Sequence, residues 1–250
     1  MTTGVLIYCF DTPEVKCHRL AERCVEQIRI HLGIEITIVT NIETYKKMKP
    51  LGMINYKLVD NKTSNTRAYR GKNIAWHNRE RCLAFDHSPY DTTILMDCDY
   101  FVFSNVLLEL AKTQFDILLH NKVSDLTGKD LILGQNESTL PLVWATVTLF
   151  RKTPKAKATF EMIKHIQENY LHYKNLYRIK FPNYRNDFAF AIAMHQLNTG
   201  NFIDTPMSML ADTVDVIDSD KDGIIYIYEK EVNFTSGQDV HIMHKEWCDV

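Results

Sequence analysis

The stretch TTILMDCDYFV, residues 92–102, decides the fold and also contains the first candidate site. Its first five residues are apolar or β-branched, which is typical of a buried strand. The run then reaches two carboxylates, Asp97 and Asp99. Because residues i and i+2 of an extended chain lie on the same side, both carboxylates are predicted to face one site. Cys98, between them, is predicted to point back into the sheet.

The position of this acidic pair indicates a metal site. Ligands of open α/β sheets bind at the carboxyl ends of the strands. Two carboxylates are hard oxygen ligands that suit Mg²⁺ or Mn²⁺, and such ions often complete their shells with substrate phosphates. The structural alternative is that the two acids only cap a strand or a turn. An Asp-x-Asp pair is common in proteins, so its place after a buried strand is what favours the metal.

The elements before this strand follow a β–α–β order. Residues 4–10, GVLIYCF, form an apolar and β-rich run. From Pro13 onward, apolar residues recur at three-to-four spacing up to Gly33, which predicts an amphipathic helix. The alternating segment IEITIVT, residues 34–40, predicts the second strand. This order favours a parallel sheet covered by helices. We therefore predict an α/β fold, a single domain of 250 residues with a mixed, mostly parallel central sheet flanked by helices.

Helical and strand patterns also alternate around and beyond the acidic pair. The helix that begins at Asp187 is apolar on nearly all sides, which predicts that it is buried. Short strands separated by turns follow it. The predicted helices cover residues 73–85, 105–111, 153–171 and 187–197, and the predicted strands between them cover 115–120 and 142–150.

Composition limits the class of protein. A formal net charge of -2, with 45% hydrophobic and 24% charged residues, is ordinary for a globular domain and excludes collagenous, disordered and highly basic scaffold chains. Residues 140–150, the least polar run, are too short to span a bilayer. The N-terminus lacks the features of a signal peptide. The six cysteines form no CxxC pair, which predicts reduced core thiols. We therefore expect a cytoplasmic protein without a membrane partner.

Basic residues are concentrated in two segments. Residues 44–81 contain ten Lys and Arg against two acids, and residues 151–180 contain eight against two. The second segment also carries Tyr170, Tyr173 and Tyr177 among its basic residues. Each segment is either a solvated face or part of a surface for a polyanionic partner, and the charges alone leave both interpretations open.

Four blocks of the sequence resemble GT-A-fold glycosyltransferases, including the glycogenin-like group. Residues 81–105, RCLAFDHSPYDTTILMDCDYFVFSN, resemble the metal-binding core of that family. VWATVTLFRK at 143–152, YRNDFAFAIA at 184–193 and VHIMHKEW at 240–247 match other family blocks in the same order. The resemblance implies a GT-A type nucleotide-diphospho-sugar transferase fold. It further implies a UDP-sugar as donor and Mn²⁺ or Mg²⁺ as cofactor.

The resemblance also divides the chain into two functional halves. Residues 1–104 would form the nucleotide-sugar-binding half with the acidic pair. Residues 105–250 would form the acceptor half and the closing segment that supplies a metal ligand.

Specific roles follow from the resemblance residue by residue. It implies that Asp97, Asp99 and His241 bind the metal, with Asp97 also close to the donor. Arg81 would contact the donor and Lys245 its diphosphate. The closing segment departs from the family pattern, because the family's glycine after the histidine segment is absent and the gap between histidine and lysine is shorter. His244 is therefore an alternative to His241 as the ligand.

Three further residues are candidates for the site. In the family, an acidic residue near the reacting sugar corresponds to Asp187. It would be a base for the acceptor hydroxyl or would stabilise the positive charge that grows on the sugar ring. Its structural alternative is a first-turn acid at the start of a helix. Tyr8 and Trp76 are candidates to stack on the base or the sugar of the donor, and core packing is the alternative for both.

Residues 218–229 fit the loop pattern of a calcium-binding EF-hand. That loop requires a helix on each side. Here both flanking segments alternate and are rich in β-branched and aromatic residues, which favours a hairpin with its turn in SDKDG, residues 219–223. A calcium-binding module and a nucleotidyltransferase with a bound Mg²⁺ remain the alternatives to a glycosyltransferase.

The blocks around the acidic pair, with those near residues 144 and 184, also resemble glycosyltransferases of tailed phages related to the T-even type. Such phages glycosylate hydroxymethylated cytosine. This resemblance implies transfer of glucose or arabinose from a UDP-sugar to 5-hydroxymethylcytosine in phage DNA, in the host cytoplasm. A protein or a polysaccharide is the alternative acceptor. The sequence leaves open the sugar, the acceptor, the oligomeric state and whether the anomeric configuration is inverted or retained.

Overall fold

The computed structural model describes most of the chain, including a central sheet. Within the described residues, no helix is long and apolar enough to cross a membrane. The five cysteines described are free thiols, and Cys248 lies outside the described residues. The described residues are 1–13, 15–60, 66–69, 72–75, 78–125, 130, 140, 143–181, 183–210, 225–228, 231–234 and 239–242.

Strands and helices alternate along the described chain. The strands are β1 (Thr3–Tyr8), β2 (Glu35–Thr40), β3 (Asn55–Leu58), β4 (Thr66–Tyr69), β5 (Lys72–Ala75), β6 (Thr92–Asp97), β7 (Tyr100–Phe101), β8 (Ile117–His120), β9 (Val123–Asp125), β10 (Trp144–Arg151), β11 (Asn201–Ile203), β12 (Met207–Leu210), β13 (Ile225–Tyr228), β14 (Glu231–Phe234) and β15 (Val240–Ile242). The α-helices are α1 (Cys17–His31), α2 (Ile42–Tyr45), α3 (Ala84–His87), α4 (Val106–Lys112), α5 (Pro154–Glu168), α6 (Tyr170–Leu176) and α7 (Asn186–Leu197), and a 3-10 helix covers Asn78–Leu83.

In the part of the chain that the structure describes, the central sheet has seven strands in the spatial order β11-β8-β10-β6-β1-β2-β3. All neighbouring pairs are parallel except the two that β10 makes with β6 and β8. This confirms the predicted α/β fold with a mixed, mostly parallel sheet. Strand β1 lies between β2 and β6, so the strand order reverses there. Such a switch point opens a crevice at the carboxyl ends of the strands, where ligands bind in open α/β sheets.

Alternate residues of β1 and β6 point to two hydrophobic clusters, one on each face of the sheet. On one face, Ile7 and Met96 belong to the same hydrophobic cluster as the buried apolar side chains of α1. On the other face, α5 and α7 pack against β10. Phe160 contacts Phe150 and Phe190 edge to face, with ring centroids 4.8 and 5.6 Å apart. Eight of the twelve residues of α7 are buried, in agreement with its apolar sequence.

A second sheet brings the end of the chain to the acidic pair. Its strand order is β7-β15-β12-β9. Strand β7 begins directly after Asp99, and β15 pairs with it in antiparallel fashion, with His241 opposite Tyr100. Strands from both predicted halves of the chain contribute to the central sheet. The functional division at residue 104 stays a prediction.

The predicted helix over residues 73–85 is wrong. Lys72–Ala75 form β5, which pairs with β4 as an antiparallel hairpin, and the 3-10 helix and the short α3 follow. The pairing of β5 with β4 starts before the predicted helix, so the apolar periodicity within residues 73–85 does not report it. The predicted helix over 153–171 is divided at Asn169 into α5 and α6. Its start is confirmed, because Thr153 caps α5 and accepts a hydrogen bond from the amide of Ala156 at 3.2 Å.

The EF-hand-like segment continues into paired strands. Strands β13 and β14 pair with each other in antiparallel fashion, so β14 occupies the place where an EF-hand requires its exit helix. The predicted turn at 219–223 lies outside the described residues. The hairpin that the structure describes follows the predicted turn. The segment after residue 223, which was predicted to form a single strand of the hairpin, contains β13 and the start of β14. This arrangement disagrees with the calcium-binding alternative.

Candidate metal and donor site

The acidic pair lies at the carboxyl edge of the central sheet. Asp97 is the last residue of β6, and its partner across the parallel ladder is Tyr8, the last residue of β1. The chain then turns through Cys98 and Asp99 before β7 begins. The side chain of Cys98 is buried in the core, whereas both carboxylates approach the same point. The predicted alternation of these three side chains is therefore confirmed.

His241 joins the two carboxylates. The antiparallel ladder of β15 with β7 places it there, and the amide of Ile242 donates to the carbonyl of Asp99 at 3.0 Å. Asp97, Asp99 and His241 each offer one ligand atom, and these three atoms lie within 4.8 Å of one another. The Nε2 atom of His241 is 3.5 Å from Oδ2 of Asp99. Two carboxylates and one imidazole are a donor set that suits a divalent ion such as Mn²⁺ or Mg²⁺, so the residues present fit the predicted cofactor.

Arg81 is buried beside the first of these carboxylates, Asp97. Its side chain is 2% exposed, and Nη1 donates to Oδ1 of Asp97 at 2.5 Å. A second nitrogen, Nη2, donates to the carbonyl of Thr146 on β10 at 3.3 Å. The 3-10 helix before α3 carries Arg81 to this position. The sequence predicts that Arg81 contacts the donor, and the structure places its charge on Asp97.

Tyr8 lies at the edge of the site, with its ring packed inward. Its hydroxyl is 2.9 Å from Nδ1 of His87, and the two rings stack with centroids 6.0 Å apart. Burial raises the pKa of Tyr8 well above its ordinary value. Burial also lowers the pKa of His87 to about 4, so the imidazole is neutral at pH 7. The arrangement corresponds to the core-packing alternative for Tyr8 more closely than to an open stacking surface.

Asp187 is held at both of its carboxylate oxygens. It is the second residue of α7, and its Oδ1 accepts a hydrogen bond from the amide of Ala145 at 2.9 Å. Arg185 donates to Oδ2 through Nε at 2.9 Å and through Nη2 at 2.7 Å. These contacts tie the start of α7 to the start of β10, which also carries Thr146, the partner of Arg81.

Trp144 is a residue that the sequence analysis missed. Its indole meets the imidazole of His241 edge to face, with centroids 6.0 Å apart. The guanidinium of Arg185 lies 5.5 Å from the centroid of the same indole. Trp144 therefore lies between the metal-ligand candidates and the Arg185–Asp187 pair. Trp144 lies near the start of the predicted strand 142–150, in a block that resembles the glycosyltransferases, and this was the available signal. Its contact with His241 could not be predicted from local sequence, because the two residues are 97 positions apart.

Three predicted site residues cannot be placed, since Trp76, His244 and Lys245 lie outside the described residues. Their roles stay predictions, and so does the choice between His241 and His244. Of these two histidines, His241 is the one described, and it lies beside the acidic pair.

We expect Cys98→Ser to lower the free energy of unfolding by about 1–3 kcal/mol, because it places a hydroxyl in an apolar core position. Urea denaturation measures this change. The same substitution at Cys82, on the other face of the sheet, is the control. It should cost less, because a hydroxyl can keep the bond that this thiol donates to Oε1 of Gln167 at 3.5 Å. A variant Cys98→Ser that keeps its stability but loses donor turnover would contradict the orientation of this side chain.

The architecture is similar to that of solved glycosyltransferases. The galactosyltransferase LgtC, solved with donor and acceptor sugar analogues, superposes with a TM-score of 0.53 and 10% identity, over 80% of this chain and 72% of that one. Mouse xyloside xylosyltransferase 1 superposes with a TM-score of 0.52 and 11% identity, over 85% of this chain and 89% of that one. The chain has a GT-A fold. The fold predicted from the sequence is thereby confirmed.

The GT-A fold is established by structure and not by sequence similarity. No family model matches the chain, and the search of curated proteins found no match. An active-site mutant of LgtC superposes equally well, with a TM-score of 0.53 and 12% identity over 76% of this chain and 69% of that one. Identities this low show a shared fold and leave the donor and the acceptor of this chain to be inferred from its own residues.

Proposed function

We propose that this protein is a metal-dependent glycosyltransferase that moves a sugar from a UDP-sugar to a hydroxyl acceptor. The observation that carries the proposal is the convergence of Asp97, Asp99 and His241 at the switch point of a GT-A fold. Two carboxylates and one imidazole at the carboxyl edge of the sheet are suitable ligands for a metal ion that also binds a diphosphate.

Each residue has a distinct task in this proposal. Asp97, Asp99 and His241 would hold Mn²⁺ or Mg²⁺, which when bound supplies a Lewis acid that neutralises the charge on the leaving diphosphate. Arg81 adds a fixed positive charge on the inner side of the site. Lys245 would contact the diphosphate from the closing segment. Such preorganised charges stabilise the leaving group without rearrangement during the reaction.

Asp187 would act on the sugar as a fixed negative charge. A base needs an oxygen lone pair directed at the acceptor hydroxyl. Oδ2 of Asp187 already accepts two hydrogen bonds from Arg185 and Oδ1 accepts one from Ala145, which leaves a single acceptor position on Oδ1. Of its two predicted roles, we propose stabilisation of the positive charge that develops on the sugar ring, and a base acting through Oδ1 is the alternative. Its contacts also support its structural alternative, a first-turn acid that anchors α7.

The experiment that tests the donor chemistry is a hydrolysis screen of UDP-sugars with and without Mn²⁺. We expect UDP release from at least one donor, with UDP-glucose and UDP-arabinose as first choices, and none in the presence of EDTA. Release of pyrophosphate from a nucleoside triphosphate, without release of UDP from any sugar donor, would instead identify a nucleotidyltransferase. Failure of both reactions would contradict an enzymatic role for the site.

For the acceptor, we propose 5-hydroxymethylcytosine in DNA. The proposal rests on the resemblance to phage enzymes and on the exposed lysines of α5. The inner face of α5 packs into the core, so Lys155, Lys157 and Lys164 lie on its outer face. A polyanionic acceptor requires such charges, because each neutralised phosphate adds a salt-dependent increment to binding. The hydroxymethyl group of the modified base lies in the major groove, where it is accessible without complete base flipping.

Neutralising Lys155, Lys157 and Lys164 together to Gln should lower transfer to hydroxymethylated DNA by about tenfold or more at physiological salt. With three fewer phosphate contacts the slope of log K against log salt should become shallower by about 2–3. Donor hydrolysis should be unchanged, since none of these residues belongs to the metal site. Three exposed lysines outside both basic segments, Lys16, Lys112 and Lys122, provide the matched triple control.

DNA with unmodified cytosine should accept no sugar in the same assay. If hydroxymethylated DNA accepts no sugar from any donor that the protein hydrolyses, the acceptor proposal fails. A protein or a polysaccharide would then be screened as the acceptor.

A further inference from the structure

Arg81 places a permanent positive charge inside the candidate metal site. Its side chain is among the largest fully buried ones in the described part of the chain. Guanidinium groups stay protonated in proteins, so the charge cannot be removed by loss of a proton. Burying such a charge requires a close partner, and Oδ1 of Asp97 is that partner at 2.5 Å. One of the two acidic ligands is therefore shared between a resident cation and any metal that binds.

Arg81 is also fixed in place. Its Nη2 bonds to the carbonyl of Thr146 on β10, and its Nε is buried without a hydrogen-bond partner among the described residues. Leaving the site would break the bonds of Arg81 to Asp97 and to β10 while the guanidinium crossed packed side chains. The charge is thus expected to stay beside Asp97 when a divalent ion arrives.

From this geometry we infer that Arg81 makes the site selective for a divalent ion that arrives with a nucleoside diphosphate, and unfavourable for the bare ion. The inference rests on the proposed function, because it assigns a regulatory task within the same metal site. Arg81 is accordingly a positioning and charge-balancing residue that acts through Asp97.

The balance of charge supports this inference. Among the described groups that meet there, Asp97, Asp99 and Arg81 sum to a formal charge of -1, with His241 neutral as a metal ligand. A bare divalent ion would bring the sum for these groups to +1, with two cations on the same carboxylate. Two like charges repel more strongly in a buried site than in water. A diphosphate that brings two or three negative charges removes this repulsion, so the ion and the nucleotide should strengthen each other's binding.

The test compares Mn²⁺ binding with and without UDP, measured by the loss of the free Mn²⁺ signal in electron paramagnetic resonance. We expect UDP to tighten Mn²⁺ binding to the unmodified protein at least tenfold. Arg81→Met removes the charge and keeps the length of the side chain. It should tighten binding of bare Mn²⁺ about threefold or more and reduce the enhancement by UDP. Arg81→Lys keeps the charge and should behave like the unmodified protein.

Arg151 provides the matched control. It is a guanidinium at the other end of β10, where it donates to the carbonyls of Ala111 and Thr113. Arg151→Met should change Mn²⁺ binding in neither condition. Thermal melting of each variant reports whether it folds, and the enhancement by UDP in the unmodified protein is informative even if Arg81→Met does not fold. An enhancement below threefold would overturn the inference.

Weaker binding of bare Mn²⁺ by a folded Arg81→Met variant would also overturn the inference, because Arg81 would then only support Asp97. Failure of the proposed function has a different signature. Suppose that UDP tightens Mn²⁺ binding as expected and that Arg81→Met reduces this enhancement, but that no sugar donor is turned over. The inference about Arg81 then stands, and the proposed glycosyl transfer fails. Absence of Mn²⁺ binding in every condition would overturn both.

Discussion

Asp99→Asn is expected to lower metal-dependent turnover of a UDP-sugar by about 10²–10³-fold, the loss seen when one preorganised electrostatic contact is removed from an active site. The substitution keeps the size of the side chain and removes its charge. Asp99 is 1% exposed and close to His241, so the loss acts directly on the proposed ligand set. Steady-state kinetics at limiting Mn²⁺ measures the effect, and thermal melting reports whether the fold is retained.

Asp204→Asn is the matched control for this prediction, because Asp204 is an exposed aspartate outside the ligand set. It should leave turnover unchanged. Asp97→Asn should also inactivate the protein, but it would leave the buried Arg81 without its carboxylate and should therefore destabilise the fold as well. Near-normal turnover by a folded Asp99→Asn variant at limiting Mn²⁺ would contradict the metal site.

Asp187→Ala is expected to have the second largest effect, because it removes a structural and a proposed chemical contribution together. Loss of the bonds from Ala145 and Arg185 should lower the free energy of unfolding by about 1–3 kcal/mol. Loss of the negative charge near the sugar should lower kcat by about 10²-fold. Urea denaturation and steady-state kinetics measure the two effects separately.

Asp187→Asn distinguishes these two contributions. Its amide oxygen can still accept the hydrogen bond from Ala145, whereas the ion pair with Arg185 is lost. If the charge acts on the sugar, Asp187→Asn should keep most of the stability and lose nearly as much kcat as Asp187→Ala. If kcat follows stability across both variants, Asp187 only anchors α7 to β10, and its role in the reaction is refuted.

Strongly local patterns made the fold predictable. The buried strand that ends at Asp97, the β–α–β order before it and the largely apolar α7 all depend on residues adjacent in the chain or one turn apart. The resemblance to glycosyltransferases added the expected order of the later blocks, and the superposition on LgtC confirmed the resulting GT-A fold. The helix predicted over residues 73–85 failed because the pairing of β4 with β5 is a contact that helical periodicity does not report.

The site was predictable only in part, because it joins distant segments. The two carboxylates could be paired from the sequence, since one residue separates them. The contact of His241 with Asp99 depends on the pairing of β15 with β7, across 142 positions, and was expected only from the family resemblance. The burial of Arg81 on Asp97 and the place of Trp144 beside His241 had no local signal. Both depend on how β10 lies against β6 and on where the 3-10 helix enters the core.

The most direct test of the central claim is pulsed electron paramagnetic resonance of Mn²⁺ bound to the protein together with UDP. The account predicts modulation from one directly bound imidazole nitrogen, which is lost in His241→Ala and kept in His244→Ala. The absence of nitrogen modulation, or its survival in His241→Ala, would contradict the proposed Asp97, Asp99 and His241 site.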